Sequence, residues 1–303
     1  MTLEPTATSE SSAHPSAEPS ARAVAFAREA RLGAWLRARG SALLGFSGGV
    51  DSAYLACVAL ETLGAHRFLA VIGRSASYPA AQWEGALAVA RQFGIPVLET
   101  STDELHDPSY AANPANRCYF CKSELWGRLA PIARARGLAA VLDGTNADDL
   151  RDYRPGARAA RERGVESPLA ELGFTKAEIR LLSEARGIPT WRQPSSPCLS
   201  SRIPYGTAVT SERLQTIERA EHALRLLGVE GDLRVRYHGD LARVELAPDA
   251  LDAWLSPVRA AAIRDAVLGA GFARVAVDLR GFRSGSLNVL GGVPAANVIG
   301  AAG

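Results

Sequence analysis

The sequence predicts an α/β fold: a doubly wound parallel sheet followed by a smaller C-terminal α+β domain. Three observations predict it. Apolar runs of strand length alternate with segments of helical period through roughly the first two thirds of the chain. The first of these runs breaks into a glycine turn just where a helical pattern begins, at the carboxyl edge where such sheets bind ligands. Near Pro204-Tyr205-Gly206 the alternation gives way to a helix, a hairpin, a helix and a strand. A length of 303 residues fits about two domains of about 150 residues each. We expect a disordered tail over 1–22, a larger α/β domain over 23–205, a small α+β domain over 206–290, and a flexible tail over 291–303.

The elements follow in order. Strand runs are expected at Ala42–Ser47, Phe68–Gly73, Val97–Ser101 and Ala139–Asp143. Helices fall between them at Asp51–Leu63, Ala80–Phe93 and Tyr119–Arg136. A further helix, Thr175–Arg186, has Thr175 as its cap and Gly187 as its stop. In the C-terminal part an amphipathic helix spans Ser211–Leu227. Strands Leu233–Tyr237 and Ala242–Leu246 flank a His238-Gly239-Asp240 turn. A helix over about Val258–Ala270 and a strand at Arg274–Leu279 complete it. The order α-β-β-α-β suggests a ferredoxin-like arrangement.

Composition narrows the function. A net charge of +2 gives no broad electrostatic case for nucleic-acid binding. No apolar run reaches the ~18 residues a membrane span needs. The first twenty residues, rich in Ser, Ala, Pro, Thr and Glu, lack the apolar core of a signal peptide, so a cytoplasmic location is expected. Of 34 basic residues only Lys122 and Lys176 are lysine. A compact ammonium meets a phosphate differently from a flat guanidinium, and both lysines are expected at functional positions.

The richest stretch is Ser47-Gly48-Gly49-Val50-Asp51-Ser52. A glycine turn at a helix N-terminus presents free amides to an anion, and the glycines let the backbone approach it. Ser47 and Ser52 add hydroxyls. Gly-Lys-Ser/Thr is missing, so this is a phosphate cradle of another type than Walker A.

Two thiols in Cys118-Tyr119-Phe120-Cys121-Lys122 can hold a metal or a cluster, or cycle as a dithiol. A position near a helix N-terminus, between Arg117 and Lys122, is expected to lower their pKa. Cys198 is a third candidate, in a loop held extended by prolines, with Arg202 nearby as a charge for a thiolate or phosphate. Cys57 reads most simply as a small core residue. Zinc needs four ligands and only three cysteines remain, which suits a 4Fe–4S cluster with one open iron; structural zinc and unligated thiols stay open.

Together these motifs resemble the LarE family of ATP-dependent sulfur transferases, within the PP-loop ATP pyrophosphatase superfamily. The resemblance runs from about Ser41 to Asn288. Besides the glycine loop it rests on Arg117–Lys122, Asp143-Gly144-Thr145-Asn146-Ala147-Asp148-Asp149, Asp152–Gly156, Thr175–Arg180, Pro197–Gly206, Leu233–Gly239 and Gly281–Ser286. Both lysines fall inside these motifs.

The resemblance implies that ATP and Mg²⁺ adenylate a carboxylate of pyridinium-3,5-dicarboxylate mononucleotide, that pyrophosphate leaves, and that sulfur displaces AMP. It implies ATP binding by Ser47, Gly48, Gly49, Asp51, Ser52, Gly73, Thr145 and Asn146, with Asp51 on Mg²⁺ and Lys176 at the α-phosphate. It implies substrate or phosphate binding by Arg202, Arg234 and Arg236. Sulfur would come from Cys198 itself, as in one branch of the family, or from a 4Fe–4S cluster on Cys118, Cys121 and Cys198, as in the other. The presence of all three cysteines favours the cluster, and a homo-oligomer is expected. The product would serve nickel-pincer nucleotide synthesis and lactate racemase maturation. A transfer RNA thiolase, an amide-forming synthetase and a non-catalytic nucleotide-binding module are the rival readings.

Overall fold

A computed structural model describes residues 20–151, 154–194 and 197–283. The expected tails lie wholly or mostly outside these residues, as do 284–286 of the last motif. A helix that patterning did not anticipate comes first: α1 spans Ala21–Arg39, with Ser20 capping it. Then follow β1 (Ala42–Gly45), α2 (Val50–Leu63), β2 (Phe68–Arg74), α3 (Ala80–Phe93), β3 (Val97–Ser101), α4 (Pro108–Ala111), α5 (Arg117–Ala135) and β4 (Ala140–Leu142). Helices α6 (Pro155–Glu162), α7 (Pro168–Glu171) and α8 (Lys176–Ala185) close this half.

The four strands are parallel, in the order β3-β2-β1-β4. The chain steps outward from β1 to β3 and then returns to the other side of β1. The loops after β1 and β4 therefore diverge at one switch point, where a crevice opens at the carboxyl edge. Helices cover both faces. One core packs α1, α2, α3 and α8 on the sheet, around Leu36, Leu44, Tyr54 and Ile179. The other packs α5 and α6 through Leu43, Val71, Trp126 and Ala160. Helix α2 has ten of its 14 residues buried, because α1 and α8 cover the side that the sheet does not. The Tyr54 hydroxyl donates to Glu29 at 2.9 Å, and Arg186 pairs with the same carboxylate, tying α1, α2 and α8 together. Thr175 caps α8 through a full capping box with Glu178.

The C-terminal part begins with α9 (Ser211–Leu226), followed by β5 (Leu233–His238), β6 (Leu241–Leu246), α10 (Leu251–Trp254), α11 (Pro257–Gly269) and β7 (Arg274–Val277). β5 and β6 form the expected hairpin, and β7 lies parallel to β6. Here the arrangement departs from the ferredoxin-like one. That layout places a strand between the two joined by the crossover, whereas β6 and β7 pair directly. Among the described residues no strand before α9 joins this sheet, and Val209 bonds its amide to the carbonyl of Ala111. The core of this part also takes in Tyr110, Leu199 and Ile203, from segments well before α9. Among the described residues no helix is long and apolar enough to cross a membrane.

Candidate functional site

The site has two parts, and the first lies at the switch point. After β1 the chain turns at Gly48, whose φ of 70° is left-handed. A Cβ there would stand 2.5 Å from the Ala86 Cβ, so glycine is required twice over. Gly49 precedes α2 with no side-chain cap, which leaves amides of the first turn without a helical partner. Tyr78 and Gln82 both donate to the Ser47 carbonyl, at 2.9 and 3.0 Å, and fix the turn. The Ser47 and Ser52 hydroxyls are 3.1 Å apart.

The loop after β4 packs directly on this turn. A Cβ on Gly144 would lie 3.1 Å from the Ser52 amide nitrogen. The Asp143 carboxylate accepts from the Thr145 amide and hydroxyl, both at 3.0 Å, and Asn146 Oδ1 accepts from the amides of Asp148 and Asp149. Asn146 then donates to one Asp51 oxygen at 3.3 Å, and the Lys176 ammonium reaches the other at 2.5 Å. The Lys176 amide also binds Asp148, at 2.8 Å. Two separated motifs, through Asn146 and Lys176, therefore reach the Asp51 of a third. Asp149 lies close enough to feel its charge; burial pushes the Asp149 carboxyl up, against the pull of Arg154. Mg²⁺ commonly takes one or two carboxylates together with substrate phosphates; the carboxylates here are Asp51 and Asp149, each paired with a basic side chain of the chain, Lys176 and Arg154. Gly73, at the end of β2, packs under Leu125 and Thr102 instead of joining this cluster.

The second part holds the cysteines. Cys118 is the second residue of α5 and Cys121 lies one turn on; Cys198 precedes a short helical turn at Leu199–Arg202. Cys118 is exposed as a residue, yet enough protein surrounds its sulfur for desolvation to be the leading influence on it. That, with the nearby charge of Cys198, raises its pKa despite Arg117 and Lys122. Burial and then the charge of Glu104 raise Cys121. The lowered pKa expected from helix position and basic neighbours is thus corrected for both thiols. The same proximities make the three thiols mutual neighbours. As placed they do not form a ligand set: among the described residues, no three His, Cys, Asp or Glu side chains are gathered closely enough to hold a metal ion. The Lys122 ammonium sits 5.4 Å over the Trp126 ring. Cys57 is buried in the main core, as expected.

Polar side chains surround the cysteine segments. Arg117, 4% exposed, donates to Asn113 Oδ1 at 2.5 Å and to the Ser200 carbonyl at 2.9 Å. The Tyr110 and Ser200 hydroxyls meet at 2.6 Å, and the Leu199 amide bonds to the Ser77 carbonyl at 2.8 Å. Arg202 is buried and forked onto Glu221 at 2.9 and 3.0 Å, with further bonds to the Pro197 and Cys198 carbonyls. Arg236 pairs with buried Glu245 at 2.8 Å and donates to the Ser201 carbonyl at 3.0 Å. These two arginines, expected on substrate phosphate, face the chain's own carboxylates and hold the segment after Cys198. Arg234 stacks over Phe282 and lines an open cavity with Arg225, Gln193 and Pro194. Burial and the neighbouring Arg202 lower its pKa to about 10, so it stays cationic at neutral pH. Sequence reasoning passed over Asn113, Tyr110, Glu221 and Glu245. The available signal was an asparagine before a proline, a residue that tolerates unusual backbone; Glu221 and Glu245 lie on other elements than the arginines they pair with, and Glu245 stands opposite Arg234, not Arg236, in the hairpin.

Known proteins bear on this arrangement. Residues 35–125 match the family model of NAD synthase. The chain is 47% identical over 247 residues to an uncharacterized protein of Synechocystis sp., covering 82% of this chain and 91% of that one. It is 36% identical over 261 residues to the pyridinium-3,5-bisthiocarboxylic acid mononucleotide synthase of Lactiplantibacillus plantarum, covering 86% of this chain and 94% of the synthase. An uncharacterized protein of Methanocaldococcus jannaschii is 28% identical over 207 residues, 68% of this chain and 78% of that one.

Proposed function

Because the chain belongs to the family of the Lactiplantibacillus plantarum synthase, the LarE family, we propose that it is an ATP-dependent sulfur transferase of nickel-pincer nucleotide synthesis. Its substrate is a pyridinium dicarboxylate mononucleotide and its product the thiocarboxylate. The observation that carries this reading is the meeting of Asn146 and Lys176, from two separate segments, on the two oxygens of Asp51, beside a glycine turn at a helix N-terminus.

A substrate carboxylate oxygen attacks the α-phosphorus of ATP, and pyrophosphate leaves. The amides around Gly48–Ser52 and the Lys176 ammonium stabilise the charge that develops on the phosphates. Mg²⁺ held by Asp51 and Asp149 would neutralise phosphate charge when bound. Arg234 is the arginine of the expected set that lines an open cavity, and it takes the substrate phosphate.

Sulfur is assigned to Cys198. Its thiolate attacks the acyl-adenylate carbonyl, AMP leaves, and a thioester forms. Loss of the Cys198 α-proton then breaks its Cβ–S bond, releasing the thiocarboxylate and leaving dehydroalanine. The cysteines as placed do not gather the donors of a cluster. The amide-forming reading draws on the NAD synthase match, but that match ends at residue 125, before Asp143–Asp149, Lys176 and Cys198.

The test is anaerobic incubation with ATP and pyridinium-3,5-dicarboxylate mononucleotide. Pyrophosphate, AMP and a product heavier by the exchange of oxygen for sulfur are expected, with matching loss of sulfur from the Cys198 peptide. Pyrophosphate release dependent on transfer RNA or ammonia would overturn the reading. Product beyond one equivalent per chain would overturn the assignment of sulfur to Cys198.

A further inference from the structure

Asn113 is the described non-glycine residue with a left-handed backbone, at φ 56°. That conformation costs an ordinary residue roughly 1–2 kcal/mol. It is also fully buried, at 0% exposure. Its amide group is saturated. Nδ2 donates to the carbonyls of Pro204 at 2.8 Å and Thr207 at 2.9 Å, with a longer contact to Ile203 at 3.3 Å. Oδ1 accepts from Arg117 at 2.5 Å. Its backbone is engaged as well: the amide bonds to Tyr110 at 2.9 Å, and the carbonyl accepts from Gly206 at 2.9 Å.

These bonds join two segments that sequence keeps apart, the stretch from Asn113 to Arg117 and the turn 90 residues later at 203–207. Arg117 immediately precedes Cys118, and the guanidinium that Asn113 orients also holds the Ser200 carbonyl, two residues after Cys198. The turn at 203–207 continues the same segment. Asparagine meets both demands of the position: it tolerates a left-handed backbone better than most residues, and its amide both donates and accepts. Aspartate keeps the first property and loses the donors. Glycine keeps the backbone and loses the whole amide.

We propose that Asn113 is a positioning residue that sets the reach between Cys198 and the Cys118–Cys121 pair. It does so by clamping the 203–207 turn and the Arg117 guanidinium to one buried amide. The same clamp fixes where the Cys198 thiol stands, and misplacement of a nucleophile by about 1 Å can cost about a hundredfold in rate. The kinetic consequence rests on the sulfur-transferase reading; the geometric one does not.

The experiment uses the full chain as wild type, Asn113→Asp and Asn113→Gly. Thiols are bridged with dibromobimane, and the bridged peptides are identified by mass spectrometry. Cys118–Cys121 bridging within one helix turn is the internal control and should not change. Cys118–Cys198 bridging, relative to that control, should fall at least about tenfold in both variants. Sulfur transfer should fall about ten- to a hundredfold, while AMP and pyrophosphate formation stays within about twofold. The contrast between the two half-reactions separates positioning from loss of fold. An unchanged bridging ratio in Asn113→Asp overturns the proposal, as does absence of Cys118–Cys198 bridging in wild type. So does a parallel fall of both half-reactions in the two variants. If the bridging ratio falls as expected but no thiocarboxylate forms even in wild type, the geometry stands and the sulfur-transferase reading fails.

Discussion

The two parts of the site are built from different materials. The nucleotide part is made by backbone: a strand end, a left-handed glycine, a helix N-terminus and an Asx-type turn after β4. Its parts stand at the carboxyl edge because a parallel sheet with this strand order must open there. The cysteine part is made by side chains. Segments from α4, α5, the turn after Cys198, α9 and β5 are held together by Asn113, Arg117, Arg202–Glu221 and Arg236–Glu245. A backbone site needs its few glycines and its strand order. A side-chain site needs every donor to find its acceptor across long stretches of sequence.

Removal of the sulfur atom should split the two parts most sharply. In Cys198→Ser the yield of thiocarboxylate should drop by at least about a thousandfold, while substrate-dependent pyrophosphate release continues. A variant that also stops releasing pyrophosphate would show that the two parts do not act separately. The next largest effect comes from the other side. Lys176→Ala removes the ammonium from Asp51, and Gly48→Ala forces a Cβ against Ala86. Each should lower adenylation by about a hundred- to a thousandfold, and sulfur transfer with it, because activation comes first. Retention of pyrophosphate release by Lys176→Ala would break the assignment.

The same contrast explains what the sequence disclosed. The strand runs, the helix after the glycine loop and the capped helix at Lys176 are local patterns, and the structure matches them to within a few residues. The meeting of Ser47–Ser52 with Asp143–Asp149 follows from sheet topology, so it was legible once the alternation of strands and helices was read. Helix α1 was missed because arginines and alanines dilute its apolar stripe; Leu32, Trp35 and Leu36 pack inward from it. Arg202 and Arg236 were read as phosphate clamps because their partners, Glu221 and Glu245, lie on other elements and share no spacing with them. The thiol pKa values were misjudged for a related reason. Helix position and basic neighbours are visible in sequence, whereas burial and the nearness of the other thiols are not.

A third prediction probes how far the cysteine part depends on the small sheet. Glu245 is fully buried and shared by Arg236 and Arg243, both at hydrogen-bonding distance. Glu245→Ala removes the carboxylate and leaves buried guanidinium charge behind, at a cost of about 3–5 kcal/mol. A lowered thermal unfolding temperature is expected. Faster alkylation of Cys198 is expected with it, since Arg236 also holds the Ser201 carbonyl. If stability falls while Cys198 alkylation is unchanged, the small sheet supports the fold without holding the sulfur segment.

The smallest effect concerns the fourth cysteine, which belongs to neither part. Cys57 lies in α2, the helix that follows the glycine loop, and burial pushes its thiol up from 9.0 to about 11. The folded chain therefore holds this proton more tightly than the unfolded chain does. A raised folded pKa stabilises fully below the unfolded value, and the benefit is lost as pH climbs toward the folded one. By pH 10 the unfolded thiol is mostly ionised and the folded one is not, so about 1 kcal/mol should have been lost from this group. Unfolding midpoints at pH 8 and pH 10 should therefore separate more in wild type than in Cys57→Ala. An equal alkaline loss in both would mean that the helix opens enough at high pH to hydrate the thiol. In that event the nucleotide part would be less rigid than its backbone construction implies.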